Sequence, residues 1–578
     1  MSIVSSIKAI QDIMRKDDGV DGDAQRIGQL TWMLFLKVFD QREEEWEDSF
    51  EGRGETYVSP LPEACRWRNW AKYTTDSDGK SAPQIAASDL IAHVNETVFP
   101  GLRELPLDTI DDDDSRAKAK VVREVFVDSN NYMKSGPLML GVIEKLDEAI
   151  NFHDFKTRSN LGDVYEKILN DLRSAGNAGE FYTPRAVTHF MVQMVNPILK
   201  KRETVLDPAC GTGGFLTATI DHFNSQITKK SSAEDKKAIE SCIHGIEKKQ
   251  LPHLLCTTNM MLHGIDVPSQ IEHKNTLAKA WNDWSRNEKV DCVITNPPFG
   301  GSEEDGVGTD FPADLRTRET SDMFLTLIVK KLLKDGGRGA IVLPDGNLFG
   351  EGVKAKVKQL LLEECNLHTI IRLPNGVFAP YTGIKTNLLF FTKGKSTDTI
   401  WYYEHPYPTG YKSYSKTKPI TLDEFQAEKE WWGNESNGFA DRVESERAWK
   451  VDFKSRKRDA EAKAKPHWDK AEALNNQAAE LERQARETNG NTKQDLKEQA
   501  DKLRQKAKDE QSAGDRIFWP IYNLDAKNPN SPEAESHDPD ALLVKFKEIS
   551  RQIADTEEQL KQALAAAFAH HVEGNGHE

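Results

Sequence analysis

The sequence predicts an α/β protein, with a doubly wound, largely parallel sheet set between an all-helical N-terminal region and a helical, coiled-coil-like tail. Three features carry that expectation. From about Leu161 to Lys393, short apolar runs alternate with helical stretches: TVLDPACGTGG, CIHGIE, VDCVITNPPFG, GRGAIVLPDG, HTIIRLP and TNLLFF. Before them the periodicity is helical only. After residue 454 the composition turns to Ala, Lys, Glu and Gln.

In chain order, Asp23–Glu44 places apolar residues at helical spacing, with Asp23 where an N-cap would sit. Ala86–Val98 and Met139–Phe152 follow the same pattern, and the acidic block Asp111–Asp114 between them reads as a solvated loop. The later pair of strands, with Thr386–Thr392 as the last, fits an antiparallel edge. Aromatic-rich pieces come next (WYYEHPYPTGYKSY, EKEWWGN). Ser455–Gln511, broken at Asn489–Asn491, predicts two helices folded back as a hairpin or, alternatively, one solvated arm. A final amphipathic helix spans Pro539–Phe568, and its Leu542, Leu543, Phe546, Ile549 and Ile553 need a surface to cover. The implied domains are 1–155 helical, 156–400 α/β, 401–454 aromatic-rich, 455–515 hairpin and 516–578 a terminal segment for partner docking.

Composition bounds the function. The 578 residues allow about three or four domains. With 77 Lys and Arg against 93 Asp and Glu, the net charge is −16, which argues against a chain that wraps nucleic acid unaided. A DNA role needs a local basic face or a partner. The mean hydropathy of −0.64 and the lack of a long apolar run exclude a membrane-spanning helix. The start MSIVSSIKAI lacks the pattern of a secretory signal, so a cytoplasmic protein is expected. Six scattered cysteines without a CxxC pair fit reduced thiols, and no metal site is expected.

The chemistry concentrates in two strand ends and a loop. In TVLDPACGTGGFL an apolar strand leads to Asp207, and Gly211, Gly213 and Gly214 then open a helix. Glycines there let backbone turn tightly and approach a ligand. The Asp207 carboxylate would repel a pyrophosphate but suits a cationic, amino-bearing cofactor such as S-adenosylmethionine; the plain alternative is a strand–helix turn. Glu247 closes the next apolar run, where a carboxylate can accept both ribose hydroxyls or simply face solvent. In GEFYTPR, Thr183 and Pro184 read as an N-cap and first helical residue, with Phe181, Tyr182 and Thr183 over a cofactor as the functional alternative.

The most informative segment is VDCVITNPPFG, where a strand ends in Asn296, Pro297, Pro298 and Phe299. Neither proline can donate to a sheet ladder, so the strand stops in a rigid corner. The Asn296 amide oxygen and the Pro297 carbonyl can accept both hydrogens of an exocyclic amine, and Phe299 offers a flat face to a planar base. Methyl transfer to an aromatic amine requires that arrangement and no covalent nucleophile.

Taken in order, GEFYTPR, DPACGTGG, the strand-end Glu247 and NPPFG resemble the N6-adenine DNA methyltransferases, and among them the modification (M) subunit of Type I restriction-modification systems. Leu373–Phe391, WYYEHPYPTGYKSYSKTKPI and NLDAKNP are similar to family segments, so the likeness covers most of the chain. The resemblance implies a Rossmann-like methyltransferase sheet using S-adenosylmethionine. It implies cofactor contacts from Glu180, Phe181, Tyr182, Thr183, Pro184 and Arg185, from Thr212, Gly213 and Gly214, and from Glu247. It places target-adenine chemistry at Asn296, Pro297, Pro298 and Phe299. It further implies double-stranded DNA with a flipped-out adenine, a specificity (S) subunit, a second M chain and a restriction (R) nuclease subunit.

Two departures stand out. An acidic residue is common before the catalytic strand in the family, whereas HKNTL here has Asn275, and Ser455–Gln511 looks like an expansion. Protein-glutamine and RNA methyltransferases share the Asn-Pro-Pro-aromatic corner, but are typically shorter and often carry Tyr in the fourth position. A stand-alone adenine methyltransferase would need a recognition domain in this chain. A scaffold without activity would not need the full set of motif residues.

Overall fold

The computed structural model describes residues 3–75, 81–149, 165, 182–228, 231–530 and 539–574. The chain forms two compact units, Met1–Lys527 and Asn528–Glu578.

The first unit begins with helices Ile3–Met14, Gly22–Glu51, Ala87–His93, Asp113–Phe126 and Gly136–Ala149. The second of these is apolar around much of its circumference, and Trp32, Phe35 and Phe39 are fully enclosed. Trp32 meets Phe99 edge-on at 5.1 Å and Phe126 at 6.4 Å. The helix starts at Gly22, one residue before Asp23, so Asp23 lies in the first turn and not at the N-cap. The acidic block is not simply a loop: the Asp112 carboxylate accepts from the Ser115 N–H and caps the helix that starts at Asp113. Strands β1 (Tyr73–Thr75) and β2 (Ser81–Pro83) pair as a small hairpin.

The sheet has nine strands: β3 (Val205–Asp207), β4 (Ile243–Glu247), β5 (Ile271–His273), β6 (Val290–Thr295), β7 (Leu333–Pro344), β8 (Cys365–Arg372), β9 (Thr386–Lys393), β10 (Thr399–Glu404) and β11 (Ala448–Asp452). Their order is β11-β10-β8-β9-β7-β6-β3-β4-β5. The five strands β7, β6, β3, β4 and β5 are parallel. From β3 the chain first builds outward through β4 and β5, then returns to add β6 on the other side. That reversal creates a crevice at the carboxyl ends of β3 and β6, where open α/β sheets bind ligands.

The expected antiparallel pair is present as β8 and β9, but it lies inside the sheet and not at its edge. Thr386–Lys393 is antiparallel but lies between β7 and β8, inside the sheet. Two further strands from the aromatic-rich segment lie beyond it. Tyr402 and Trp449 are cross-strand partners whose rings stack at 5.2 Å, which gives this edge its apolar cover.

The region after β11 folds as a helical hairpin, Phe453–Glu487 against Asn491–Phe518. Ala464, Ala471, Ala478 and Ala485 are buried at heptad spacing on one helix, and Ala500, Ala507 and Gly514 on the other. A Cβ on Gly514 would lie 2.6 Å from Trp468 Nε1, so the seam admits only small residues there. In the second unit, one helix spans Pro539–Gly574, longer than the expected end at Phe568. Its Leu543, Val544, Phe546, Ile549, Ile553 and Leu560 are exposed. Among the described residues no helix is long and apolar enough to cross a membrane.

Candidate active site

At the end of β3, Asp207 is almost fully buried. One carboxylate oxygen accepts from the Thr295 hydroxyl at 2.7 Å and the Ala209 N–H at 3.2 Å. Burial raises this carboxyl from the ordinary range to about 7; the Thr295 and Ala209 hydrogen bonds pull the other way, and the charge of Glu247 adds to the rise. The loop that follows turns through Gly211 (φ +54°) and Gly213 (φ +83°) before the helix Gly214–Gln226. At Gly213 both conformation and space require glycine, since a Cβ would lie 2.8 Å from Cys256 Sγ.

Glu247, at the end of β4, holds this loop. Its two oxygens accept from the Gly211 N–H at 2.9 Å and the Lys249 N–H at 2.7 Å. Burial raises its pKa, against those backbone hydrogen bonds.

Asn296 follows β6 directly. Its Nδ2 donates to the Thr183 hydroxyl at 3.0 Å, while Oδ1 is buried with no hydrogen-bond partner. Thr183 is therefore not an N-cap: the helix Arg185–Val195 has Pro184 in that position, and the Thr183 hydroxyl belongs to the cleft. Pro297 is buried, Pro298 is exposed, and half-buried Phe299 meets Phe378 edge-on at 6.0 Å.

One cleft of about 270 Å³ gathers these groups, lined by Thr183, Asp207, Gly211, Gly214, Glu247, Asn296, Pro298 and Phe299 among others. Other residues singled out from the sequence are not among those that line it. Tyr182 joins the core of the helical region. The Thr212 carbonyl accepts from Asn259 Nδ2, Gly213 shapes the turn, and Arg185 opens its helix. Glu180 and Phe181 lie outside the described residues. Sequence reasoning passed over Lys248, Lys249, Ser302, Glu303 and Thr320, which also line the cleft. Glu303 sits in the polar run SEED just after NPPFG, and only its burial separates it from a solvated loop residue. Asn275 caps its own turn through the Leu277 N–H and donates through Nδ2 to Glu303 Oε2 at 3.1 Å.

A strand-end asparagine with an open acceptor, a glycine-turned loop and two buried carboxylates thus meet in one cleft at the carboxyl edge of the sheet. The N-6 DNA methylase family model matches residues 156–469, and the model of the HsdM N-terminal domain matches residues 3–146. The chain belongs to the N6-adenine DNA methyltransferase family, among the methylase subunits of Type I restriction enzymes. The methylase subunit of the Type I restriction enzyme EcoEI from Escherichia coli is 49% identical, over 98% of this chain and 99% of its own length. The crystal structure of a modification subunit of a putative type I restriction enzyme from Vibrio vulnificus is 38% identical. Its TM-score is 0.63, over 78% of this chain and 92% of that one. A chain from a structure on complex assembly and conformational transition of the type I restriction-modification system is 32% identical, with a TM-score of 0.68 and 98% of both chains covered.

Proposed function

We propose that the chain transfers a methyl group from S-adenosylmethionine to N6 of an adenine flipped out of double-stranded DNA, with the sequence read by a separate specificity subunit. The buried, unpartnered Asn296 Oδ1 at the cleft is the observation that carries this reading. A buried acceptor without a donor is costly unless a ligand supplies one. Asp207 and Glu247 suit a cofactor bearing positive charge and ribose hydroxyls, and Thr183, Gly211 and Gly214 complete its binding surface. When bound, S-adenosylmethionine supplies an electrophilic methyl on a sulfonium.

Asn296 Oδ1 and the Pro297 carbonyl would accept the two N6 hydrogens, which raises electron density on that nitrogen. Phe299 would stack the ring; as N6 bonds the methyl, the S–C electron pair stays on sulfur as a neutral thioether, and the N6 proton held at Asn296 Oδ1 would pass to solvent. Orientation is the main catalytic contribution. Extrusion of the base costs a few kcal/mol of stacking, which contacts elsewhere must offset. A chain of net charge −16 supplies little backbone affinity by itself, which favours a partner that holds the DNA. We therefore place it in an assembly with a specificity subunit, a second copy of this chain and, for restriction, a nuclease subunit.

The test is transfer of labelled methyl to N6 of adenine in unmethylated DNA, with the chain alone and with its specificity partner. Activity only in the mixture is expected. Activity of the isolated chain would overturn the separate reader, and cofactor binding without transfer in either case would overturn the DNA substrate.

The raised pKa of Asp207 sets a pH dependence. A cation beside it favours the ionised carboxylate, so affinity for the cofactor rises up to ~10-fold between about pH 6 and 7.5. In the free chain the sign is opposite. While protonated, Asp207 is buried without an ionic penalty, so the fold is most stable below the ordinary value of 3.8 and loses that advantage progressively up to about 7, as the buried group is forced to ionise. Calorimetric titration across that range checks the first statement, and Asp207→Asn should flatten the profile.

A further inference from the structure

Glu303 differs from its neighbours. Its side chain is 9% exposed, whereas those of Glu304 and Asp305 are 82% and 92% exposed. A carboxylate is costly to bury, so its surroundings have to hold it there. Its N–H donates to the Arg318 carbonyl at 3.1 Å, and Arg318 Nη2 donates to the Glu303 carbonyl at 3.0 Å. Lys248 Nζ and Asn275 Nδ2 both donate to Oε2, each at 3.1 Å. Neither of these donors uses Oε1, and the residue lines the same cleft as Asp207, Glu247 and Asn296. Glu247, by contrast, already has a backbone N–H on each oxygen.

The strand order says which part of a ligand Glu303 meets. Along the carboxyl edge the order is β6, β3, β4, β5, carrying Asn296, Asp207, Glu247 and, just after β5, Asn275. A cofactor with its transferable methyl toward Asn296 and its ribose at Glu247 has its adenine beyond Glu247, on the side of Asn275. Glu303 is bonded to Asn275 at that end of the cleft.

We infer that Glu303 is a cofactor-binding residue that accepts a hydrogen bond from the exocyclic amine of the cofactor's adenine. The inference rests on the S-adenosylmethionine reading above. Lys248 offsets the charge, and Asn275 serves as a positioning residue that aims the carboxylate. A position built to accept from an amine disfavours a base without one, because the acceptor is then left buried and unpaired.

The experiment is calorimetric titration of the full chain, without DNA, with S-adenosylhomocysteine and with its analogue in which the adenine amine is replaced by hydrogen. Because DNA is absent, the contact measured is to the cofactor and not to the target base. The unsubstituted chain should prefer S-adenosylhomocysteine by ~10- to 100-fold. In Glu303→Gln the carbonyl must face Lys248 and Asn275, which leaves the amide NH2 toward the cleft and turns an acceptor into a donor. The preference should then fall to near unity. Equal affinity of the unsubstituted chain for the two ligands would overturn the assignment without any variant. A preference kept in Glu303→Gln would overturn the role of Glu303 alone. No binding of S-adenosylhomocysteine to the unsubstituted chain would overturn the cofactor reading, and this inference with it.

Discussion

Asn296→Ala lowers the rate of adenine methylation by ~100- to 1,000-fold, the usual effect of removing one preorganised polar contact at a reacting centre. The loss is expected in kcat, with the affinity for S-adenosylhomocysteine changed only a few-fold. The reason is geometric. Oδ1 has no protein partner to lose, so under the proposed mechanism its deletion removes only the contact to the reacting amine. The same substitution also frees the Thr183 hydroxyl, which Asn296 Nδ2 holds at 3.0 Å. Thr183→Val separates the two effects: it breaks that hydrogen bond but keeps the acceptor, so its kcat should fall much less. Equal losses in both variants would mean that Asn296 acts by ordering the Thr183 segment and not by gripping N6.

Gly213→Ala should be among the most destabilising single changes in the sheet region. A left-handed conformation costs about 1–2 kcal/mol for a residue with a Cβ. Here the Cβ also lies 2.8 Å from Cys256 Sγ and 3.1 Å from Met260 Cε, both on the buried helix Gln250–Leu262. Overpacking of that kind adds about 1–3 kcal/mol. Gly264 is the control, since its φ is +91° and a Cβ there would meet nothing within 4 Å. Gly264→Ala should therefore show the backbone cost alone. Denaturant unfolding of both variants gives the comparison, and Cys256→Ala in the Gly213→Ala background should restore part of the loss. Equal destabilisation at the two glycines would show that the contact with Cys256 is unimportant.

The legible parts of this molecule were those in which local pattern and chemistry coincide. Apolar runs ending in Asp207, Glu247 and Asn296 are strands whose ends face the cleft, and proline after Asn296 marks the stop. Long-range placement was less legible. Thr386–Lys393 has both faces buried and reads equally well at any place in a sheet, so its position between β7 and β8 depends on pairings outside the segment. The aromatic-rich piece that starts at Trp401 shows no partner in its own sequence; Tyr402 finds its stacking partner, Trp449, only across the strand in β11. Thr183 carries the usual signal of a helix cap, but tertiary contact with Asn296 takes its hydroxyl away. Glu303 had no signal beyond its position after NPPFG, because burial of one acid among several is a property of the folded loop.

The alanine seam of the hairpin constrains how this arm can vary among descendants of the chain. Small residues recur at heptad steps in both helices, running in opposite directions toward the turn near Gly490. Inserting or deleting a few residues in one helix would set bulky side chains against the facing backbone. Matched seven-residue blocks, one in each helix, would preserve the heptad register of the small residues. Each such block moves the tip by about 10 Å, at a rise of about 1.5 Å per residue. The arm can thus change its reach in discrete strides while its base, fixed by Trp468 and Gly514, stays as it is.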